Sequence, residues 1–357
     1  MYSNTERVPN HGGLSPVFPI SHGLAGAQRT RRKRPAAIIR LMAAGSAIVV
    51  AYNSASFIEQ CLSALRDENG WEHIVIDNAS CDDTAVRVMR ADPQARLVRN
   101  SENLGFAAAV NQGARLATGR ILLILNPDTI ARPGGLAALA TALESDAVGA
   151  AGGALLRENG EADRGFTVRR FPTALFMATE ILLLNRFWPS NPLNRAYRCL
   201  DMDYSKKQEV EQPAGACLAV KREAWESIGG FDETFFPIWF EDADFCRRLR
   251  TQGWKILYCP EAVFAHSGGH SVNQLPLRDR QLLWYGNLLR YFRKHSSRAA
   301  VGGLRACIAL GMALRSLAAL VGAGPEDVKL PEALRAYAAV VRGRVLAGPG
   351  SRGFEKP

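Results

Sequence analysis

The segment Asn126-Pro127-Asp128-Thr129 follows directly on an apolar run, Ile121-Leu-Leu-Ile-Leu125. A carboxylate at the end of such a strand can hold a divalent cation against a diphosphate, because Mg²⁺ and Mn²⁺ take oxygen ligands and share them between carboxylates and substrate phosphates. Asp128 is therefore the first candidate metal ligand. The same tetrapeptide also reads as a plain β-turn, since Asn, Pro and Asp all favour turns. A second acidic group, Glu241-Asp242-Ala243-Asp244, opens a helical pattern that ends at Gly253. The helix dipole favours negative charge in a first turn, so stability alone accounts for these acids as well as chemistry does.

Short apolar strands alternating with helical patterns must position these groups. The strands read as 47–51, 73–77, 95–99 and 121–125, with helices over 57–65, 84–90 and 106–117 between them. This rhythm implies an α/β fold, its parallel strands covered by helices on both faces. In such sheets ligands sit beyond the carboxyl ends of the strands, and here the strands run into polar pairs: Tyr52-Asn53, Asp77-Asn78 and Asn126-Pro-Asp128. No GxGxxG follows the first strand and no GxxxxGK[ST] occurs, which argues against dinucleotide dehydrogenases and P-loop enzymes. Further on, the spacing predicts a helix over 222–228 closed by Gly229-Gly230, a helix over 241–251 and a strand over 255–258. Between 145 and 212 the pattern is weak.

The order of motifs resembles the family 2 glycosyltransferases of the GT-A fold, in particular the bacterial rhamnosyltransferase-like branch. The resemblance rests on Ile48-Val-Val-Ala-Tyr-Asn53, Val75-Ile-Asp-Asn-Ala-Ser80 with Asp83-Thr84, Asn103-Leu-Gly-Phe106 with Asn111, and Asn126-Pro-Asp128. It continues with Gly229-Gly-Phe-Asp-Glu233, Phe240-Glu-Asp-Ala-Asp-Phe-Cys-Arg247 and His266, and covers about 46–293. It implies a Rossmann-like mixed sheet with helices on both faces, followed by C-terminal helices. Asp77 would then bind the nucleotide base, with Ala51 and Asn53 shaping the same pocket and Gly105 letting the chain pass close to the nucleotide. Asn103 and Asn111 either hydrogen-bond the ligand or brace the 106–117 helix. The family's metal motif carries two acids flanking one residue; here Asn126 takes the first position, grouped with the nucleotide-binding residues. His266 is either structural or the ligand that completes the Asp128 site. Asp242 matches the catalytic base, aimed by Phe245 and Leu249, while Asp244 points elsewhere and suits a pair with Arg247 or Arg248. Trp239 and Glu241 are candidate contacts for the sugar or acceptor. The implied reaction is an inverting displacement, Mg²⁺- or Mn²⁺-assisted, from a nucleotide-diphosphate sugar such as dTDP-rhamnose to a hydroxyl of a cell-envelope glycan or lipid-linked glycan.

Composition bounds this reading. With 357 residues, 47% of them hydrophobic, the chain can bury a large core. The net charge of +10 is concentrated in Arg29, Arg31, Arg32, Lys33 and Arg34 and in residues beyond Arg278. It suits an anionic surface, and no nucleic-acid-reading module accompanies it. Seven scattered cysteines without a C-x-x-C pair read as reduced thiols, and the absence of an apolar h-region near Met1 argues against a secretory signal. The expected organisation is a disordered basic leader over 1–45, a catalytic domain over 46–295 and a helical region over 296–357 that either packs on the domain or touches the inner face of the cell membrane as an interfacial helix. Arg290, Arg293, Lys294, Arg298, Arg305 and Arg315 supply the charge for such contact. Two rival readings are a non-catalytic nucleotide- or glycan-binding protein on a degenerate transferase scaffold and a sugar nucleotidyltransferase. Oligomeric state is not legible.

Overall fold

The computed structural model describes residues 45–157, 159–268, 275–326 and 328–346. The expected leader therefore lies, but for Gly45, outside the described residues. Eleven strands are present among these residues: β1 (Gly45–Ala51), β2 (Trp71–Asp77), β3 (Arg96–Arg99), β4 (Ile121–Leu125), β5 (Thr129–Ala131), β6 (Val148–Leu156), β7 (Val168–Arg169), β8 (Gln208–Glu209), β9 (Gln212–Pro213), β10 (Cys217–Lys221) and β11 (Lys255–His266). The helices are α1 (Ile58–Arg66), α2 (Thr84–Ala91), α3 (Phe106–Leu116), α4 (Gly135–Ala142), α5 (Ala174–Ile181), α6 (Leu184–Phe187), α7 (Pro192–Tyr197), α8 (Arg222–Ser227), α9 (Glu241–Thr251), α10 (Leu277–His295), α11 (Arg298–Leu320) and α12 (Leu330–Val340).

The main sheet runs in the order β3-β2-β1-β4-β10-β6-β11-β5, with β8 on the edge of β11. β1 is parallel to both β2 and β4, as the apolar runs predict for a strand buried on both faces. The mixed character comes from β10, which lies antiparallel between β4 and β6. Alternate residues of β1 and β4 face opposite layers. Ala47, Val49, Leu123 and Leu125 pack on α1, α2 and α4, whereas Ile48, Val50, Leu122 and Ile124 pack on α3, α8 and α9. Helix α8 closes as predicted, with Gly229 and Gly230 in the left-handed region at φ 73° and 75°.

A third core joins α5, α10, α11 and α12 to the loop over 235–243. Residues after Ser296 thus share apolar packing with the segment that leads into α9. The stretch that was weak in sequence, 174–197, forms three short helices in the same region. Arg305 and Arg315 do not project freely from α11: Arg305 donates to the Val345 carbonyl, and Arg315 to those of Ile181, Gly311 and Glu180.

Candidate active site

Strand β4 delivers Asn126, whose carbonyl accepts from Thr129 N at 3.1 Å, so Pro127 and Asp128 do form a tight turn. The turn feeds β5, and β5 pairs antiparallel with the end of β11, Thr129 opposite His266. That register sets His266 Nε2 3.6 Å from Asp128 Oδ1. Both residues are buried, and Asp128 Oδ1 and His266 Nδ1 have no hydrogen-bond partner. A buried carboxylate oxygen left unsatisfied next to an imidazole is costly unless something cationic completes it. The donor set, one carboxylate and one imidazole, fits a single Mn²⁺- or Mg²⁺-like ion whose other ligands come from substrate phosphates and water. No group of three or more His, Cys, Asp or Glu that could hold a metal occurs among the described residues.

The start of α9 lines a cavity of about 480 Å³, with Asn126, Gly215, Trp239, Glu241, Asp242 and His266 all on its wall. Asp242 Oδ2 accepts from Gly215 N at 3.2 Å and Oδ1 from Ala243 N at 2.7 Å, which fixes the carboxylate at the cavity wall. Phe245 and Leu249 are fully buried one and two turns on and anchor the helix. The neighbouring acids have other environments. Burial would raise the Asp244 carboxyl, but His295 at 2.7 Å, Lys294 at 2.8 Å and Arg248 at 2.7 Å hold it down to about 2. Asp244 is thus an ion-pair hub for Arg248, while Arg247 turns to the Tyr291 hydroxyl at 3.1 Å. Glu241 has the opposite fate: burial, reinforced by the Asp242 charge, raises its carboxyl well above the usual range.

The loop before α9 is tightly held. Trp239 and Phe240 sit at φ 83° and 71°, a region that bulky side chains rarely occupy. Asn287, buried on α10, donates to the carbonyls of Phe236 at 3.2 Å and Ile238 at 2.8 Å. Phe106 N donates to Pro237 O at 2.7 Å. Gly105, at φ 84°, meets this loop: a Cβ there would stand 2.8 Å from Phe236 Cδ2. The close approach foreseen at Gly105 is, in the structure, an approach to the 236–237 segment.

A second cleft of about 180 Å³ opens beside the first and shares Phe106, Asn126 and Ile238 with it. Tyr52, Ser54, Asn78, Asn103 and Asp128 line it. Of the residues foreseen around the nucleotide, Asn103 and Asn126 line it, whereas Ala51, Asn53, Asp77, Gly105 and Asn111 do not, Val50 and Tyr52 standing on its wall beside Ala51. Asn103 Oδ1 accepts from Asn78 Nδ2 at 2.8 Å and from Gly105 N at 2.9 Å. Asn53 uses its amide oxygen on Cys81 N at 2.9 Å, and buried Asp77 accepts from Ser80 N at 3.0 Å, its other oxygen 3.5 Å from the exposed Arg99. Asn111 takes the bracing alternative: it donates to Phe231 O and Glu233 Oε1, both at 2.9 Å, and accepts from Phe231 N at 2.9 Å. Sequence reasoning did not single out Asn287 or the Gly215 amide. The only sequence signal for Gly215 was its place in the apolar run before β10.

A mixed α/β sheet of this order, with polar turns and acids at its strand ends, is the framework of the GT-A nucleotide-sugar transferases. The chain belongs to glycosyl transferase family 2, whose model matches residues 46–228; that of the N-terminal domain of galactosyltransferase matches 196–266. It is 31% identical over 242 residues to the N-acetylglucosaminyl-diphospho-decaprenol L-rhamnosyltransferase of Mycobacterium tuberculosis, spanning 64% of this chain and 78% of that one. Over 229 residues it is 24% identical to a low-salt glycan biosynthesis hexosyltransferase of Haloferax volcanii, spanning 62% and 66%. A mannosyltransferase from Pyrobaculum calidifontis, solved with GDP-Man and Mn²⁺, superposes with a TM-score of 0.48 at 21% identity, covering 83% of this chain and 80% of that one. The protein is therefore a glycosyltransferase using a nucleotide-sugar donor.

Proposed function

We propose that this enzyme inverts the anomeric centre as it moves a hexose, rhamnose on the pattern of the mycobacterial relative, from a nucleoside diphosphate to a hydroxyl of a lipid-linked envelope glycan. The observation that carries the reading is Asp242, fixed by the Gly215 amide at the wall of a cavity that His266 also lines, with Asp128, 3.6 Å from His266, on the wall of the adjoining cleft. The nucleoside end of the donor occupies the smaller cleft, with Asn103 and Asn126 on its wall and Asp77, next to Asn78, as the base contact. Asp128 and His266 would hold a divalent cation, which when bound neutralises charge on the departing diphosphate.

Asp242 accepts the proton of the acceptor hydroxyl. The hydroxyl oxygen forms its bond to the anomeric carbon on the face opposite the diphosphate, and the broken C–O bond leaves its electron pair on the nucleoside diphosphate. Trp239 offers an aromatic wall to the sugar, and Glu241, whose carboxyl burial raises well above the usual range, lies in the same lining. The test is Asp242→Asn, which keeps shape but not basicity. Transfer should fall by about 10²–10⁴-fold while nucleoside-diphosphate binding stays at the wild-type level. Near-normal turnover would move the base elsewhere, and absence of any turnover in the wild-type chain with a panel of donors would favour a non-catalytic binding protein.

A further inference from the structure

The transfer step leaves part of the larger cavity unused. Arg169, Met177, Tyr197, Arg198 and Trp284 also line it. Arg169 ends β7, and its Nε donates to Gly165 O at 2.8 Å. Its guanidinium stands 5.6 Å from the ring centre of Phe166, and Phe166 stacks on His266 at 4.9 Å. No carboxylate lies within ion-pair distance of Arg169 among the described residues. Arg198 donates to Asn194 Oδ1 at 3.0 Å and has a loose pair, 3.7 Å, with Glu180, whose carboxylate also accepts from Asn185 Nδ2 at 2.9 Å. Tyr197 lies in the same lining, and burial raises its hydroxyl above the usual tyrosine range.

Two guanidinium groups with at most one loose carboxylate between them, in a partly buried cavity, call for an anionic ligand. The donor diphosphate is assigned to Asp128 and His266, the latter separated from Arg169 by the Phe166 ring. We propose that Arg169 and Arg198 bind the phosphate of a phosphate-linked acceptor, a prenyl diphosphate carrying the acceptor sugar, and so hold the sugar's hydroxyl against Asp242. This rests on the transferase reading above. The planar forks match phosphate oxygens, and Met177, Trp239 and Trp284 give the first prenyl unit an apolar wall.

The experiment uses the full chain with Mn²⁺ and saturating dTDP, which occupies the donor side, and titrates geranyl diphosphate, inorganic diphosphate and geraniol by tryptophan fluorescence. Geranyl diphosphate should bind saturably and more weakly at high salt, and geraniol should not. Arg169→Gln and Arg198→Gln should each weaken geranyl diphosphate about tenfold or more, the loss of a charge-assisted hydrogen bond, with Arg169→Lys intermediate. Inorganic diphosphate binding as tightly as geranyl diphosphate, with the same arginine dependence, would overturn the lipid-linked part of the assignment. Wild-type affinity in the Arg169→Gln, Arg198→Gln double variant would overturn the site. Failure of the transferase reading is separate: dTDP and a panel of other nucleoside diphosphates would then give no thermal stabilisation with Mn²⁺.

Discussion

Three acids in the first turn of α9 share a sequence context and have three chemistries. Asp242 faces the cavity, Asp244 is held down to about 2 by His295, Lys294 and Arg248 against its burial, and Glu241 is raised by burial and by Asp242. Helix periodicity separates Asp242 from Asp244, but it says nothing about what each carboxylate meets. A raised folded value means that the neutral Glu241 is the form that folding favours. Its contribution to stability is complete below the ordinary glutamate range and is lost as pH rises through the raised value. Glu241→Gln, neutral at every pH, should therefore flatten the fall in melting temperature from acid to neutral pH; parallel curves for the two proteins would remove Glu241 as the source. Asp244 has the opposite sign, contributing above the ordinary aspartate range and losing that contribution only as pH falls through about 2.

At the scale of elements, the candidate metal pair is a product of strand pairing. Asp128 sits in the turn before β5 and His266 ends β11, and the Thr129–His266 register brings them to 3.6 Å. The sequence shows the two residues and the order of the motifs; that β11 runs on as far as His266 and pairs with β5 is decided by edge-to-edge hydrogen bonding over a long separation in the chain. Either Asp128→Ala or His266→Ala should abolish the extra thermal stabilisation that Mn²⁺ adds to a bound nucleoside diphosphate while leaving the unliganded melting temperature within a few degrees. Full Mn²⁺-dependent stabilisation in both variants would place the cation elsewhere. The 235–240 loop shows the same dependence on distant elements, since Asn287 of α10 and the backbone of α3 hold it in place.

At the scale of the molecule, α11 is apolar on two sides. Leu304, Ile308 and Met312 are buried in the third core, while Leu310, Leu317 and Leu320 are exposed, followed by Val321. By length and composition α11 is long and apolar enough to cross a membrane, yet one of its faces is packed on α5, α10 and α12. Phe187 and Trp188 are also exposed, and Arg186 lines a hollow with Arg315 and Ala318, which sets that aromatic segment beside the end of α11. An apolar patch with interfacial aromatics and nearby exposed Arg186, Arg293 and Arg298 suits shallow insertion into an anionic surface. Arg305 and Arg315, engaged with backbone carbonyls, contribute little to it. Cutting the chain after Ser296 would remove eight buried hydrophobic residues, among them Leu304, Ile308 and Met312 at about 2–5 kcal/mol each, comparable with the whole stability of a domain, so substitution is the better probe. Leu317→Asp with Leu320→Asp should lower flotation with anionic vesicles and leave the fold intact; equal recovery of variant and wild type would refute contact through this face.

The strands β1 to β4, their order along the chain and the polar residues at their carboxyl ends were legible in the sequence, because burial on both faces and helix periodicity are properties of neighbouring residues. The acids Asp128 and Asp242 and the motif order around them were equally legible, as was the Gly229-Gly230 stop. Only the tertiary structure decided that Asn111 braces the 229–233 loop, that β10 enters the sheet antiparallel, that Arg305 and Arg315 turn inward, and that Arg169 and Arg198 meet Asp242 around one cavity. Each of these depends on pairing between segments far apart in the chain, which packing of the whole molecule selects and no local pattern encodes.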